Sequence, residues 1–463
     1  MAIVEDITSA DDRLEDKSIS KERLTSDIER LTKQLTVPAE LVPGFMASQD
    51  DAGLSRYRNK SLDILYEVKK NLEHPYWEEI EPEIQLRLIE NVLRLNGVRD
   101  PWSSVEIRSI IQDIIPHLST SIPLLILPTL KPYFASHPSL SSSSRALSRP
   151  VGGTDSSIDL HDVQPFKDPS SWGNISLLSY SVQHLSPVDV EKNIGLILPP
   201  TLVLMDDWEP SYRLRGAEIL DIWVDKLDEG LMKRMGIDKL LIDSLIHTIS
   251  LSSNPPLKGL LQIALKVIQK CTEPQSQTRT EYYSEIVEKG IIQGWTYAPS
   301  GLEGREVLMN INEMLEGMME VMGTGIIRWL KNIIPNLLQP LQFPPTALVL
   351  PHYQSNLRCL LRVMRTSRKT GRMERWRGQI LNILCRLWVQ LKERRGLEDE
   401  DDGINDNKDD IEIDVRTLIK QIFTELSEQV PSVRDDEYRT LLDLSPGMFG
   451  DLISSINIME TSS

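Results

Sequence analysis

Apolar residues along this chain recur at steps of three and four far more consistently than at steps of two, and that periodicity restricts it to helices. Leu24, Ile28, Leu31 and Leu35 repeat at steps of four, three and four; Leu88, Ile89, Val92 and Leu93 form a second stripe; Leu214, Ala217, Leu220, Val224 and Leu227 form a third. Such spacing collects apolar side chains on one face of a helix, where a neighbouring element can bury them. Alternating strand patterns are scarce, hairpin dipeptides between apolar runs are nearly absent, and the β-branched clusters sit inside longer three-four patterns. The chain reads as all-α.

A polar residue followed by proline recurs at Asp100-Pro101, Ser186-Pro187, Asn254-Pro255 and Ser445-Pro446. A capping side chain accepts an orphan backbone N–H, and proline at the first helical position gives up a donor that had no partner anyway. Ser186 has Asp189 three residues on, a capping-box-like pair. At 463 residues the chain is too long for one ordinary core. Regular helix starts at this length predict stacked antiparallel helix pairs, an α-solenoid with repeats of about 40 residues.

Two segments interrupt the pattern. Residues 138–171, PSLSSSSRALSRPVGGTDSSIDLHDVQPFKDPSS, hold too few apolar side chains to offset the entropy of ordering them and read as a disordered linker or insert. Residues 398–414 carry ten carboxylates against the single Lys408 and read as an acidic disordered loop. The expected organisation is an N-terminal helical region over 1–137, the linker over 138–171, a main helical array over 172–396, the acidic loop over 397–414 and a C-terminal helical cap over 415–463.

A formal charge of −17 opposes nucleic acid as the main partner, since phosphate binding needs a basic surface. Cys271, Cys359 and Cys385 form neither a CxxC pair nor a close framework, so no disulfide scaffold or zinc site is expected. The start of the chain, MAIVEDITSADDRLEDK, is acidic and lacks a signal-peptide layout, and no apolar run approaches a membrane span. The expected setting is cytoplasmic and nuclear, with no membrane association.

The stretch 197–216, ILPPTLVLMDDWEPSYRLRG, resembles an active site at first sight and reads as a structural joint. Pro199 is expected to bend a first helix by removing a backbone hydrogen bond and crowding a carbonyl one turn earlier. Asp206 and Asp207 fall in the turn, with Asp207 the expected cap of a second helix. Arg213 and Arg215, in the first turns of that helix, are placed to reach a turn aspartate in the same or the adjoining repeat, and Gly216 allows another backbone to come close.

That order of proline, aspartate and arginine resembles a HEAT repeat. The longer string LPPTLVLMDDWEPSYRLRG, followed by AEILDIWVDKL, resembles the Tti-two family, the Tel-two-interacting protein of the TTT (Triple T) complex. The resemblance is strong over 185–227 and diffuse over 172–396. It implies a HEAT-like, non-enzymatic scaffold that binds Tti-one and Tel-two and works with the Hsp90 system to mature PI3-kinase-related kinases, the TOR, ATM-like and ATR-like enzymes. The alternative is a HEAT adaptor of another kind, such as a transport receptor or phosphatase scaffold.

Between Arg358 and Arg395, twelve Lys or Arg stand against Glu374 and Glu393. This run reads as a solvated helix face, as a docking face for an acidic partner, or as a local nucleic-acid contact. In the docking reading Arg358, Arg362 and Arg365 share one helix face, and Trp376 and Trp388 supply aromatic anchors. The methionines of VLMNINEMLEGMMEVMG read as core filling or as an adaptable groove. No histidine has a second histidine or cysteine at ligand spacing. Asp206, Asp207 and Glu209 resemble a carboxylate cluster, yet no paired nucleophile, GxSxG, phosphate loop or HExxH accompanies them, so neither enzyme activity nor a cofactor or metal is expected.

Overall fold

The computed structural model of the chain describes residues 8–42, 51–134, 164–251, 254, 256–398 and 406–454. Among these residues there are helices, turns and irregular segments and no strand. The protein is all-α and divides into two compact units, Met1–Met232 and Lys233–Ser463. The division falls inside the array expected over 172–396, while the helices on either side of the expected linker belong to one unit.

Unit 1 contains α1 (Thr8–Leu35), α2 (Asp51–Leu72), α3 (Pro82–Arg94), α4 (Val105–Ile114), α5 (Ile122–Thr129), α6 (Asn174–His184), α7 (Pro187–Lys192), α8 (Ile194–Met205) and α9 (Pro210–Val224). Helix α10 (Glu229–Met235) runs across the division. Each helix packs on near neighbours in sequence: α1 on α2 and α3, α2 on α4, α3 and α5 on α6, α6 and α8 on α9. This is the order that stacked helix pairs require. The stripe Leu24, Ile28, Leu31, Leu35 is buried, as are Leu88, Ile89, Val92 and Leu93, and each such side chain contributes about 1.5–3 kcal/mol on leaving water.

Unit 2 contains α11 (Ile237–Ser250), α12 (Leu260–Cys271), α13 (Gln277–Glu285), α14 (Gln293–Tyr297), α15 (Leu302–Met322), α16 (Leu330–Leu338), α17 (Leu350–Ser367), α18 (Arg377–Glu398), α19 (Asp406–Gln429), α20 (Arg439–Leu444) and α21 (Pro446–Ile453). A π-helical turn over Ile286–Ile292 joins α13 to α14 and packs against α11. Helix α17 lies between α15 and α19, and its buried Leu357, Leu360, Leu361 and Met364 form much of this core. Met318 and Met319 are buried, and Met309, Met314 and Met322 are half-buried.

Of the four expected caps, Ser186 behaves as read, accepting the Asp189 N–H at 3.2 Å. Ser445 precedes α21 but makes no side-chain cap bond. Asp100 caps no helix: α4 starts five residues later behind Ser104, which accepts the Ile107 N–H at 3.2 Å. Asn254 lies in a turn ahead of α12, which begins after Gly259, and Pro255 lies outside the described residues.

Both segments read as disordered include described, helical residues. Residues 135–163 lie outside the described residues, but 164–171 form two short 3-10 turns. They are anchored by buried Phe166, which stacks on Phe134 at 5.5 Å and meets Tyr212 edge-on at 5.3 Å. Residues 399–405 lie outside the described residues, whereas 406–414 are the first turns of α19. Here the buried stripe Val415, Ile419, Ile422, Leu426 sustains the helix.

Candidate functional site

Helix α8 is buried along most of its length, including Ile197, Leu198, Pro200, Leu202, Leu204 and Met205. The break before it falls at Asn193, and α8 continues through Pro199 and Pro200. Both prolines thus lie inside the helix, six residues and seven residues after that break. The missing proline N–H groups leave the carbonyls of Gly195 and Leu196 without their usual helical donors. Thr201 stays within the helix by donating to the Ile197 carbonyl at 2.8 Å, and its hydroxyl accepts the Trp223 indole N–H at 3.3 Å from α9. Gly216 lets α9 close on the end of α8: a Cβ there would lie 2.7 Å from the Met205 nitrogen and 2.9 Å from Leu204 Cβ.

The turn between these helices is ionic. Asp206 is exposed and ends α8, while Asp207 is buried. Asp207 Oδ1 accepts the Glu209 N–H at 2.8 Å, so it closes the turn, and Glu209 rather than Asp207 occupies the cap position of α9. Its cation is Lys167, whose ammonium donates to Asp207 at 2.9 Å and to Glu209 at 2.8 Å. That ammonium also lies 5.0 Å from the Trp208 ring centre and 4.8 Å from that of Tyr212, adding cation–π attraction. Arg213 is buried; burial lowers its pKa and the charge of Asp207 opposes that shift. The sequence reading missed Lys167 because it lies in the segment assigned to the linker, where the signal was an aromatic and a lysine between two prolines.

Arg215 does not reach the turn. Its guanidinium pairs with Asp100, whose side chain is 2% exposed and also accepts the Ser176 hydroxyl at 2.7 Å. One residue away, Arg99 pairs with Glu218 at 2.7 Å. The Lys226 ammonium caps the end of α6, donating to the carbonyls of Val182, Gln183 and Leu185 at 2.8, 2.6 and 2.9 Å. The conspicuous charges of the 197–216 stretch are thus joined to internal partners.

In unit 2, Arg358 and Arg365 are exposed on α17 and Arg362 is half-buried. Much of this basic face meets the protein's own carboxylates. Arg362 pairs with Glu320 at 2.9 Å, and Arg365 approaches Glu425 at 3.7 Å. Arg368 forms a two-pronged pair with Glu425 at 2.9 and 2.5 Å and reaches Glu428 at 3.0 Å. Trp388 is no surface anchor: it is 1% exposed and donates to the Met448 carbonyl at 2.9 Å. The stripe Leu384, Leu387, Trp388, Leu391 marks it as core. Trp376 is half-buried in the turn before α18, with the Arg375 guanidinium 6.0 Å from its ring.

Among the described residues no group of three His, Cys, Asp or Glu side chains is arranged to hold a metal ion, and no single helix is long and apolar enough to cross a membrane. Burial pushes the Cys385 thiol up to about 12 and the His352 imidazole down to about 4.

The family model described as the Tti2 family matches residues 88–348, from α3 to the segment before α17. No curated protein and no solved structure matches the chain.

Proposed function

The chain belongs to the Tti2 family, and from that membership we propose that it is a scaffold subunit of a TTT-type complex that binds Tti-one and Tel-two. In this reading it has no catalytic role and acts in the cytoplasm and nucleus, where the assembly supports Hsp90-dependent maturation of the PI3-kinase-related kinases. The family match carries the proposal. The internal pairing of Asp207, Glu209 and Arg215 supports it: these groups hold helices in register, as a scaffold needs, and are not left as a free acid–base set.

Affinity purification of the tagged chain from cells, followed by mass spectrometry, tests the reading. Tti-one, Tel-two and the large kinases are the expected partners, and nuclear-pore proteins or phosphatase subunits in their place would overturn it. Charge reversal at Arg358, Arg362 and Arg365 asks whether α17 contributes. Unchanged recovery would remove that face and leave the scaffold assignment standing.

A further inference from the structure

Unit 1 contains an open cleft of about 500 Å³ whose walls are the loop before α4 and one face each of α4, α6 and α9. Its lining is basic, although the chain as a whole is acidic. Arg99, Arg108 and Arg215 line it against the single carboxylate Glu218, in a chain of formal charge −17. Arg99 holds Glu218, and Arg215 turns toward Asp100 beneath the wall. Arg108 hydrogen-bonds the neutral Ser103 hydroxyl at 3.4 Å, and the nearby Glu106, whose charge it feels, is not among the lining residues, so the lining itself carries a positive excess. Val98 and Val105, both lining residues, are 76% and 69% exposed.

The walls are held in place before anything binds. The loop is pinned by the Asp100 and Arg99 pairs to α9, and Asp100 accepts a bond from Ser176 of α6. A Cβ at Gly97 would come within 1.9 Å of Asp100 Oδ2 and 2.4 Å of Ser176 Oγ, so a side chain there would push the Asp100 carboxylate and the Ser176 hydroxyl out of their present positions. Along α4 the lining runs from Val105 to Gln112, about 11 Å at the helical rise and long enough for three or four extended residues.

We propose that this cleft docks an extended acidic segment of a protein partner, setting a carboxylate against Arg108 and an apolar side chain against Val98 and Val105. The proposal rests on the scaffold reading, in which the chain works by holding partners. Charge complementarity selects an acidic occupant, and the exposed valines select one with apolar side chains between its acids. A peptide with a few acids among apolar residues offers both, whereas a polyanion brings no apolar side chain to Val98 and Val105 and, with its higher charge density, meets more repulsion from Glu218 and the whole chain.

The test pans the full chain against a random dodecapeptide phage library. Enriched peptides are then synthesised with a fluorophore and titrated by anisotropy against the unaltered chain, Arg108→Glu, Val105→Glu and, in unit 2, the exposed Arg372→Glu. The expected result is enrichment of peptides with Asp or Glu beside a large apolar residue. Binding should weaken at least about tenfold in both cleft variants, remain unchanged in Arg372→Glu, and fall with added salt. Circular dichroism and urea midpoints establish that the variants fold. No acidic–apolar motif, or equal affinity in folded Arg108→Glu, overturns the proposal. So does displacement of the peptide by oligothymidylate or inorganic phosphate at equal concentration, or a dimer of the chain that Arg108→Glu dissolves. Failure of the cleft in a chain that still recovers Tti-one and Tel-two sinks the cleft alone. Peptide binding by a chain that recovers neither sinks the scaffold reading alone.

Discussion

Replacing Arg215 by methionine removes the cation that faces a nearly dry carboxylate. Asp100 has a side chain 2% exposed, Arg215 one 16% exposed, and the carboxylate's other bond comes from the Ser176 hydroxyl. Stripping one partner from a buried ion pair costs about 3–5 kcal/mol. Ser176 still donates after the change and the adjoining cleft admits water, which places the expected loss near about 3 kcal/mol. Asp100→Asn removes the charge and leaves Arg215 free to turn toward solvent, so its loss should be nearer about 1–2 kcal/mol. The double variant buries no unpaired charge and should match Asp100→Asn, a coupling of about 3 kcal/mol. Urea unfolding reports this through tryptophan fluorescence, because Trp102 and Trp172 of the same unit are buried and sit edge-on 6.0 Å apart. Because the chain has two compact units, the transitions are fitted without assuming a single step. A loss below about 1 kcal/mol for Arg215→Met, or strict additivity in the double variant, would refute the assignment of this pair as a structural joint.

Lys167→Met keeps a stem against the rings of Phe166 and Tyr212 but removes the ammonium from Asp207 and Glu209; a loss of about 1–2 kcal/mol is expected, with faster amide exchange over 165–171 and 206–212, and unchanged exchange would count against the latch. Gly216→Val drives a side chain into the Met205 backbone and should cost about 2–3 kcal/mol in a thermal melt, with Gly216→Ala costing less. His352 is held neutral in the fold, its pKa lowered to about 4 by burial and, secondarily, by Arg305. The unfolded chain takes up the proton first, so the neutral imidazole costs nothing above the ordinary histidine range, and stability falls as pH drops from about 6.5 toward 4, by up to about 3 kcal/mol. Urea midpoints of His352→Leu between pH 7 and 4.5 should fall less steeply than those of the unaltered chain, and parallel slopes would reject this role.

The helical class was legible because burial and periodicity are the same fact seen twice: Leu24, Ile28, Leu31 and Leu35 are spaced for one face, and that face is buried. Ionic partners were not legible, since nothing local to Arg215 points to Asp100, 115 residues earlier, or local to Asp207 to Lys167, 40 residues earlier. Asp100-Pro101 has the composition of a helix start, but Asp100 is drawn inward by Arg215 and Ser176, and Ser104 does the capping. Composition also overstated disorder where one anchor or one stripe sufficed, as at Phe166 and at Val415, Ile419, Ile422 and Leu426. Trp388 was misread because charge density drew attention from the leucines on its own helix face.

The two ion pairs that hold the loop before α4 have opposite polarity. Arg99 meets Glu218 and Asp100 meets Arg215, so neighbouring loop residues bind successive turns of α9 with the signs reversed. Sliding α9 by one turn, about 5.4 Å, would set Arg99 toward Arg215 and forfeit both attractions at once. The exposed Arg99 pair adds little stability by itself; its effect is to make one register better than the next. Buried Asp100 adds the larger penalty, because leaving it without Arg215 strands a charge. Register in turn places Arg215, Glu218 and Ile219 along the cleft wall opposite Val105 and Arg108. The residues that first suggested chemistry thus act one step removed from recognition. In the proposed docking they fix a surface on which Arg108, Val98 and Val105 meet the partner, and a surface already fixed gives up less entropy when that partner binds.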